Sequence, residues 1–443
     1  MSKSYHIETY GCQMNVADSE LVSAMLQKAG YHETVDIEKA DAIFVNTCAI
    51  REHAEDKVHS RLGFYNKIKE KKPSTVIGVL GCMAQNLKED ILESKPYVDI
   101  VLGPDSYRKL PEMLNERTAK SSHIVDTKLS RFEVYDNLFP SRAEGVNAWV
   151  SIMRGCDKFC TFCIVPFTRG RERSRSIISI KNEVSLAIDN GFSEITLLGQ
   201  NVNSYDFEGK KFHELLEEIA QIKNVKRIRY TSPHPKDMTL DVLSVMKNYN
   251  NICNYVHLPL QAGNNKVLRR MNRTYTREEF IKLSNIIRDK LPGVGISTDI
   301  IVGFPGENEK EFHETLDVMN EVVFDSAYTF KYSSRPGTKA AEYDDHVPEA
   351  EKQQRLESVI ELQREHTSIR NKKFINKVEM VLVEKESKRS VHQWAGRTDS
   401  NKWVIFNKKS EKIGDIVPVH ITSAHGITLQ GKIQKVQEME LVS

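Results

Sequence analysis

The chain carries the run Cys156-Asp-Lys-Phe-Cys160-Thr-Phe-Cys163, a C-x3-C-x2-C arrangement. Three thiols this close in sequence can ligate one metal centre, but a closed structural site needs four ligands. The spacing differs from that of zinc ribbons, which pair one C-x2-C with another, and no histidine stands at zinc-finger distance. The alternative without a metal is three buried thiols that pack as small apolar side chains. The spacing favours a four-iron cluster with one iron left open, as in catalytic metal sites.

Three further cysteines each follow an apolar run of strand length. The runs are His6-Ile-Glu-Thr-Tyr-Gly-Cys12, Ala42-Ile-Phe-Val-Asn-Thr-Cys48 and Val76-Ile-Gly-Val-Leu-Gly-Cys82. Helical stretches separate them, and this alternation predicts a parallel sheet, whose strands end at one common edge. The three thiols can therefore meet there although they are 36 and 34 residues apart in the chain. Three separately buried cysteines are the alternative, and spacing alone does not decide between the two.

The flanks of the first run narrow its interpretation. Met153-Arg154-Gly155 precedes it, and Ile164-Val-Pro-Phe-Thr-Arg-Gly-Arg-Glu-Arg-Ser-Arg175 follows it. With these flanks the run resembles that of the methylthiotransferases, a branch of the radical S-adenosylmethionine enzymes, and most closely that of its tRNA-modifying members. The phrases Glu8 to Asn15 and Val45 to Lys57 fit the same branch. Ala49-Ile50 stands where Ser-Val is expected, which is a conservative departure.

This resemblance implies two [4Fe-4S] clusters, one on Cys156, Cys160 and Cys163 and an auxiliary one on Cys12, Cys48 and Cys82. The open iron of the first would chelate S-adenosylmethionine, and one electron would cleave that cofactor to a 5′-deoxyadenosyl radical. Amides replace the carboxylate of the superfamily's Gly-Gly-Glu phrase, so Gln200 is the expected cofactor contact there. The residues that the resemblance places at the cofactor are Phe162, Gly199, Gln200, Asn201 and Gly303.

The implied reaction is the methylthiolation of carbon 2 of N6-isopentenyladenosine next to the anticodon of tRNA. One S-adenosylmethionine would supply the methyl group and another the radical, while the auxiliary cluster would supply sulfur. The implied partners are the anticodon stem-loop and an electron donor such as a flavodoxin or ferredoxin. Three alternatives stay open: methylthiolation of threonylcarbamoyl-adenosine in tRNA, methylthiolation of a ribosomal-protein aspartate, and a non-catalytic iron–sulfur sensor that binds RNA.

Four arginines alternate with other residues just after the cluster run. In an extended segment Arg169, Arg171, Arg173 and Arg175 would point the same way and form a stripe suited to phosphates. The alternative is a solvated loop with ordinary salt bridges, since Glu172 is adjacent. We expect a mixed role that includes RNA binding.

The order of apolar segments predicts an α/β protein with three domains. Residues 3–120 form a parallel-sheet domain that carries the auxiliary cluster, and residues 142–372 form a partial (β/α)6 barrel with its working edge at the strand C-termini. Residues 374–437 hold five short strands and resemble the TRAM domain, an RNA-binding barrel of the OB type. The charged helix predicted over residues 349–373 is expected to be a solvated connector between the second and third domains.

The composition is that of an ordinary globular protein of 443 residues, with 40% apolar and 28% charged residues. Net charge is only +2, so a nucleic-acid surface must be a local patch. No run is long enough to span a membrane, and the start lacks the apolar region of a secretory signal. With seven thiols this predicts a reducing compartment, the cytoplasm. Cys253 has no neighbouring cysteine and is expected to be a packed thiol.

Overall fold

The first unit is a six-stranded parallel sheet that carries the first three single cysteines. The computed structural model describes residues 3–48, 52–119, 123–142 and 145–434, so Ala49-Ile50 and Arg51 lie outside the described residues. The sheet has the order β2-β1-β3-β4-β5-β6. Its strands are β1 (Ser4–Tyr10), β2 (His32–Glu33), β3 (Ala42–Thr47), β4 (Val76–Gly81), β5 (Ile100–Leu102) and β6 (Ile124–Asp126). Because β6 pairs with β5, this sheet continues beyond residue 120, where the sequence analysis ended the domain.

Five helices connect these strands and cover both faces of the sheet. Apolar side chains such as Phe44 and Leu80 pack on one face, and Ile43 and Val79 on the other, as expected for a sheet buried on both sides. The helices are α1 (Gln13–Lys28), α2 (Glu52–Lys71), α3 (Cys82–Leu87), α4 (Asp90–Ser94) and α5 (Leu110–Ala119). Between β4 and β5 the chain forms two short helices, α3 and α4, and Lys88 with φ of 48° ends the first of them.

The central unit is an open barrel of six parallel strands wrapped by helices. Two three-stranded sheets form it, in the order β13-β10-β7 and β14-β15-β16, and a single parallel bridge from Ile228 to Ile252 joins them. The six barrel strands are β7 (Asn147–Ser151), β10 (Glu194–Leu198), β13 (Arg227–Tyr230), β14 (Tyr255–His257), β15 (Gly295–Val302) and β16 (Ser326–Lys331). Two short antiparallel pairs lie outside these sheets: β8 (Met153–Arg154) with β9 (Arg173–Ser174), and β11 (Asp206–Phe207) with β12 (Lys210–Lys211).

The helices of this unit enclose the largest apolar core of the described chain. Thr276 and Asn308 each close a capping box with the glutamate three residues on, which fixes where two of the longer helices begin. The helices are α6 (Val165–Arg169), α7 (Ile177–Asp189), α8 (Phe212–Ala220), α9 (Leu240–Asn248), α10 (Asn265–Arg270), α11 (Arg277–Lys290), α12 (Glu309–Val322) and α13 (Glu349–Lys372).

The expectation that the charged helix α13 is a solvated connector is wrong. Arg355 is only 2% exposed and contacts Glu307, Glu309 and Glu351. Val359 is fully buried in the barrel core, and further along the helix Gln363 donates to the carbonyl of Phe324 at 3.0 Å. The buried face is therefore mostly polar and is joined to the barrel by side-chain hydrogen bonds and ion pairs, which a hydropathy pattern does not reveal.

The third unit is a closed five-stranded barrel, as the sequence indicated. Its order is β17-β18-β19-β21-β20, and β17 pairs with β20 to close it. Val381, Val404 and Phe406 fill its interior. The strands are β17 (Val378–Ser387), β18 (Ser390–Arg397), β19 (Trp403–Asn407), β20 (Ile416–His425) and β21 (Thr428–Ile433). Residues 435–437 of the expected domain lie outside the described residues.

The turn 398–402 of this small barrel fits against the N-terminal mouth of the central barrel. Arg229 on β13 donates to the carbonyl oxygens of Thr398 and Asp399 at 2.7 and 2.9 Å. Lys402 pairs with Asp325 at 2.8 Å. A Cβ on Gly295, the first residue of β15, would meet the carbonyl oxygen of Ser400 at 2.5 Å. The third unit is thus docked on the central one through buried charges.

None of the helices within the described ranges is long and apolar enough to cross a lipid bilayer.

Candidate active site

The strand ends of the first sheet bring Cys12 and Cys48 side by side. Cys12 follows β1 and Cys48 follows β3, and these two strands pair in register from Tyr5 with Ala42 to Tyr10 with Thr47. Gly11 lies between β1 and the thiol with φ of 134°, and a Cβ there would meet Cβ of Cys48 at 2.7 Å. The glycine is therefore required for the close approach of the two cysteines.

Buried amides hold the loops behind these thiols. Asn15 and Asn46 are both fully buried. Asn46 donates to the carbonyl of Asn15 at 3.0 Å, and Asn15 donates to the side-chain oxygen of Asn46 at 3.2 Å. The Cys12 thiol in turn donates to Oδ1 of Asn15 at 3.2 Å. This network fixes the edge of the sheet at which the first triad lies.

Arg169 of the central unit reaches across to the third thiol of this triad. Its Nε donates to Sγ of Cys82 at 3.2 Å, and its Nη2 pairs with Asp18 on α1 at 2.8 Å. Arg154, which directly precedes the central cysteine loop, also pairs with Asp18. All of these side chains are buried, so Asp18 links the first triad to the central unit.

The charge of Arg169 acts on the first triad. A hydrogen bond from Cys48 and the positive charge of Arg169 lower the pKa of Cys12 to about 6, against the effect of burial. Burial raises the pKa of Cys82, and Arg169 opposes that rise. The pocket therefore already favours the thiolate form at Cys12, the form that ligates metal.

The central triad lies on a loop fixed by backbone and side-chain contacts. The Thr161 amide donates to the carbonyl of Met271 at 3.1 Å, and the Cys156 amide donates to that of Gly170 at 3.1 Å. Arg273 donates to Sγ of Cys160 at 3.3 Å and to the carbonyl of Pro259 at 3.2 Å. Burial raises the pKa of Cys156 to about 11 and that of Cys163 to about 12. Binding of a metal cluster to this loop must therefore displace protons.

The amides expected at the cofactor meet the same loop. Oε1 of Gln200 accepts from the Gly155 amide at 2.6 Å. Asn201 is 1% exposed, and its Nδ2 donates to Asp237 at 2.8 Å. Oδ1 of Asn201 is buried and has no hydrogen-bond partner in the described part of the chain. That free acceptor is suited to an ammonium group of a ligand.

The remaining expected cofactor residues have protein neighbours of their own. Phe162 packs against the central core. A Cβ on Gly199 would meet Cγ of Met153 at 2.8 Å, and a Cβ on Gly303 would collide with the side chain of Lys352. Packing alone thus accounts for both glycines, and contact between them and a cofactor stays a prediction.

The two triads are neighbours. Ile164, the residue after Cys163, packs against Cys82 in a small buried cluster. Within the described residues no three His, Cys, Asp or Glu side chains stand at metal-ligating spacing. The Cys12 thiol donates to Asn15. Sγ of Cys82 accepts a hydrogen bond from Arg169, and Sγ of Cys160 accepts one from Arg273.

The residues present nevertheless fit iron–sulfur clusters. Each triad offers only soft sulfur donors and one ligand too few for a closed site. An arginine contacts a sulfur in both, and Nη1 of the buried Arg169 has no partner among the described residues. Positive charge at both sites suits anionic sulfur ligands.

The expected stripe of four arginines is wrong for three of its members. Arg169, Arg173 and Arg175 are 3%, 8% and 4% exposed. Arg173 pairs with Asp105 at 3.0 Å, and Arg175 pairs with Glu183 at 2.6 Å. The segment is not one extended strand, because α6 ends at Arg169 and only Arg173–Ser174 is paired. Arg171 alone is exposed, and it pairs with Asp157 at 2.6 Å.

Asp18 and Arg273 are site residues that the sequence did not reveal. Asp18 lies within a helix and Arg273 follows α10, and neither belongs to a cysteine phrase. Their contacts depend on the docking of units that are far apart in the chain, such as the pairing of Asp18 with Arg169. No local pattern could have indicated them. Cys253 is a buried thiol, as expected.

Three family models match successive parts of the chain. They are the Uncharacterized protein family UPF0004 over residues 4–103, the Radical SAM superfamily over residues 150–319 and the TRAM domain over residues 372–433. The first match covers the triad of strand-end cysteines, and the second covers the central loop.

Curated relatives match nearly the full length. A tRNA-2-methylthio-N(6)-dimethylallyladenosine synthase of Parabacteroides distasonis is 48% identical over 433 residues, which make up 96% of this chain and 94% of that one. An enzyme of the same name from Porphyromonas gingivalis is 47% identical over 97% of this chain and 95% of its own. The similarity therefore includes both triads and the small barrel.

Solved structures share the architecture at low identity. The radical S-adenosylmethionine methyltransferase TsrM from Kitasatospora setae, with cobalamin and a [4Fe-4S] cluster bound, has a TM-score of 0.59 at 13% identity over 77% of each chain. The cobalamin-dependent S-adenosylmethionine radical enzyme OxsB gives 0.55 at 14% identity over 77% of this chain and 55% of that one. At this level of identity the likenesses concern the fold alone, over about three quarters of this chain.

Proposed function

Because this chain belongs to the tRNA-2-methylthio-N(6)-dimethylallyladenosine synthases, we propose that its two cysteine triads hold two separate [4Fe-4S] clusters with different tasks. The family membership makes the chain a radical S-adenosylmethionine methylthiotransferase that modifies isopentenylated adenosine in tRNA. Iron–sulfur chemistry and S-adenosylmethionine are part of that activity. The assignment of one cluster to each triad is our proposal.

Cys156, Cys160 and Cys163 hold the cluster that binds S-adenosylmethionine in this proposal. When bound, the cluster delivers the electron that cleaves the cofactor's sulfonium. Gln200 ties the glycine before the loop to the end of β10. The free Oδ1 of Asn201 accepts a hydrogen bond from the cofactor's amino group, and Phe162 packs beside its adenine. These residues orient the cofactor and do not exchange protons with it.

Cys12, Cys48 and Cys82 hold the auxiliary cluster, from which we propose the methylthio sulfur is taken. One S-adenosylmethionine supplies the methyl group and a second supplies the radical that removes hydrogen from carbon 2 of the base. The observation that supports this division is the contact between the two triads, since Ile164 packs on Cys82 and Arg169 bonds it. A base placed between the triads would be within reach of both, which requires it to leave the stack of its loop.

The test is a pair of triple substitutions in the full-length chain. Cys156, Cys160 and Cys163 changed together to Ala should remove cleavage of S-adenosylmethionine by dithionite-reduced protein and leave about half of the iron. Cys12, Cys48 and Cys82 changed to Ala should preserve cleavage and abolish methylthiolation of isopentenylated tRNA. Cys253→Ala is the matched control, since this thiol is buried but belongs to neither triad. Methylthiolated tRNA from the second variant would exclude the N-terminal triad as the source of sulfur.

The sequence left open two alternative substrates and one alternative class of protein, a non-catalytic iron–sulfur sensor. The relatives are named for dimethylallyladenosine, and neither threonylcarbamoyl-adenosine nor a ribosomal-protein aspartate appears in their names. The sensor alternative predicts no cleavage of S-adenosylmethionine. Formation of 5′-deoxyadenosine by reconstituted protein therefore separates it from the enzyme.

We further propose that a flavodoxin or ferredoxin supplies the electron and that the enzyme works in the cytoplasm on the anticodon stem-loop. The seven cysteines all lie within the described residues and form no disulfide bond, which suits a reducing compartment. Replacement of dithionite by a reduced flavodoxin in the cleavage assay tests the donor.

A further inference from the structure

The contacts of Arg169 are unusual for a buried arginine. One nitrogen donates to the sulfur of Cys82 at 3.2 Å, and another pairs with Asp18 at 2.8 Å. The third, Nη1, is buried and has no partner among the described residues. The side chain comes from the end of α6 in the central unit, whereas the sulfur it contacts belongs to the first unit. An arginine used only to join two units would not need a thiol as its acceptor.

The charge around this contact is not balanced by Asp18. Asp18 is shared between Arg154 and Arg169, so one carboxylate faces two guanidinium groups. All three side chains are at most 4% exposed, and water therefore screens their charges weakly. Asp105 also acts on the charge of Arg154, but it is paired with a third arginine, Arg173, at 3.0 Å. The N-terminal triad thus lies beside a fixed excess of positive charge.

We propose that Arg169 and Asp18 set the reduction potential of the N-terminal cluster, in opposite directions. This inference rests on the proposed function, because it takes the N-terminal triad to hold a cluster. A hydrogen bond and a positive charge at a ligating sulfur stabilise the reduced, more negative cluster and so raise its potential. Asp18 offsets that charge and lowers the potential. Arg169 is a positioning residue in this role, since it acts on the cluster through Cys82.

One consequence concerns the docking of the two units. The first unit supplies Cys82 and Asp18, but the guanidinium that acts on Cys82 belongs to the central unit. The potential of the N-terminal cluster therefore depends on the contact between α3 and α6. Separation of the units would remove the hydrogen bond and lower the potential of the N-terminal cluster.

Potentiometric titration followed by electron paramagnetic resonance tests the proposal. The parent is the full-length chain with Cys156, Cys160 and Cys163 changed to Ala, in which only the N-terminal cluster gives a signal. In that background Arg169→Gln should lower the midpoint potential, Arg169→Lys should restore part of the loss, and Asp18→Asn should raise the potential. Arg142→Gln is the matched control: Arg142 is buried and pairs with Glu20 on α1 and with Glu183, but it contacts no cysteine. Its potential should equal that of the parent.

The outcomes separate this inference from the proposed function. A parent that binds no iron contradicts the second cluster itself. Bound iron with an unchanged potential in both Arg169→Gln and Asp18→Asn overturns the inference and leaves the cluster assignment intact. Shifts of the same sign in the two variants also overturn it, because general damage to the interface moves both alike. If the Arg169→Gln variant binds no iron, the Asp18→Asn variant tests the inference. A raised midpoint potential supports it, and a lowered or unchanged potential overturns it.

Discussion

Cys253 differs from the six site cysteines in its surroundings and not in its chemistry. Burial raises its pKa to about 11. Its amide donates to the carbonyl of Ile228 at 2.9 Å, which places it at the junction between the two halves of the central barrel. No other cysteine shares this position. A thiol here acts as a small apolar group.

Cys253→Ala is therefore expected to be nearly silent. Loss of one buried sulfur should cost about 1–2 kcal/mol of unfolding free energy, the lower range of cavity-forming changes. Iron content and methylthiolation should equal those of the unaltered protein. Loss of iron in this variant would make Cys253 a cluster ligand and contradict the assignment of six.

His234 is held neutral by its position. Burial lowers its pKa to about 2, and its Nδ1 accepts from the Lys236 amide at 3.2 Å. The unfolded chain takes up a proton near pH 6.5 and the folded one does not, so stability falls as pH drops below 6.5. The slope is about 1.4 kcal/mol per pH unit.

Comparison with His234→Gln at pH 7.5 and pH 5.5 measures this effect. Between the two conditions the unfolding free energy of the unaltered chain should fall further than that of the variant. Equal losses would mean that His234 is protonated in the fold. The variant is also a test of catalysis, because a purely structural His234 leaves methylthiolation of tRNA intact at pH 7.5.

At the scale of elements, α13 shows how a charged helix can belong to a core. Arg355 lies between Glu307 of the loop before α12 and Glu351 of its own helix. Burial raises the pKa of Glu307 to about 7, although Arg355 and the Gly303 amide oppose the rise. The helix is therefore anchored to the barrel by a buried charge pair whose carboxylate can take up a proton near neutral pH.

Arg355→Ala should destabilise the chain strongly, and more so at high pH. Without Arg355 the pKa of Glu307 rises further, so at pH 8 the variant must either keep this carboxylate charged without its cationic partner or take up a proton. The loss is up to about 3–5 kcal/mol, the cost of breaking a buried pair. At pH 6 Glu307 is protonated and the penalty shrinks. The neighbouring exposed Gln354→Ala is the control and should change stability by less than about 0.5 kcal/mol. A pH-independent penalty would mean that packing and not charge is lost.

The sequence predicted the elements whose buried positions are occupied by apolar side chains. The three cysteine-ended strands of the first unit, the six barrel strands of the central unit and the closed small barrel are confirmed, because their runs are apolar and interrupted by turn residues. The role of α13 was not predictable, since Gln363 and Thr367 bury polar groups that bond to backbone oxygens. The prediction of an exposed arginine stripe after the central cysteine loop was wrong for a related reason. Arg169 and Arg173 pair with Asp18 and Asp105 of another unit, and such long-range pairing leaves no local pattern.

For the whole molecule, the small barrel has a basic edge away from its docking turn. Lys388 and Arg389 form the exposed turn between β17 and β18. The docking contacts at 398–402 lie on a different connection. A phosphate backbone can therefore approach the hairpin without disturbing the junction with the central barrel.

Lys388→Gln combined with Arg389→Gln should weaken tRNA binding and leave cleavage of S-adenosylmethionine unchanged. Each phosphate contact removed should reduce the slope of log affinity against log salt by about 0.7–0.9. Titration of tRNA at two salt concentrations measures both quantities. Glu386→Gln on the same hairpin is the control and should not weaken binding. An unchanged salt slope in the double variant would exclude this hairpin from the tRNA interface.

The turn 398–402 also fixes an order of events during synthesis. The ribosome completes the central barrel before it makes this turn, so the barrel first emerges with Glu194, Arg229 and Asp325 at an open mouth. Glu194 pairs with Arg229 and Asp325 pairs with Arg370 within the central unit. Their further contacts with Arg397 and Lys402 form only when these two residues have been added. A nascent chain that ends before Arg397 therefore exposes the mouth of the barrel, which the folded protein buries. The small barrel thus decides when the central unit acquires its final contacts.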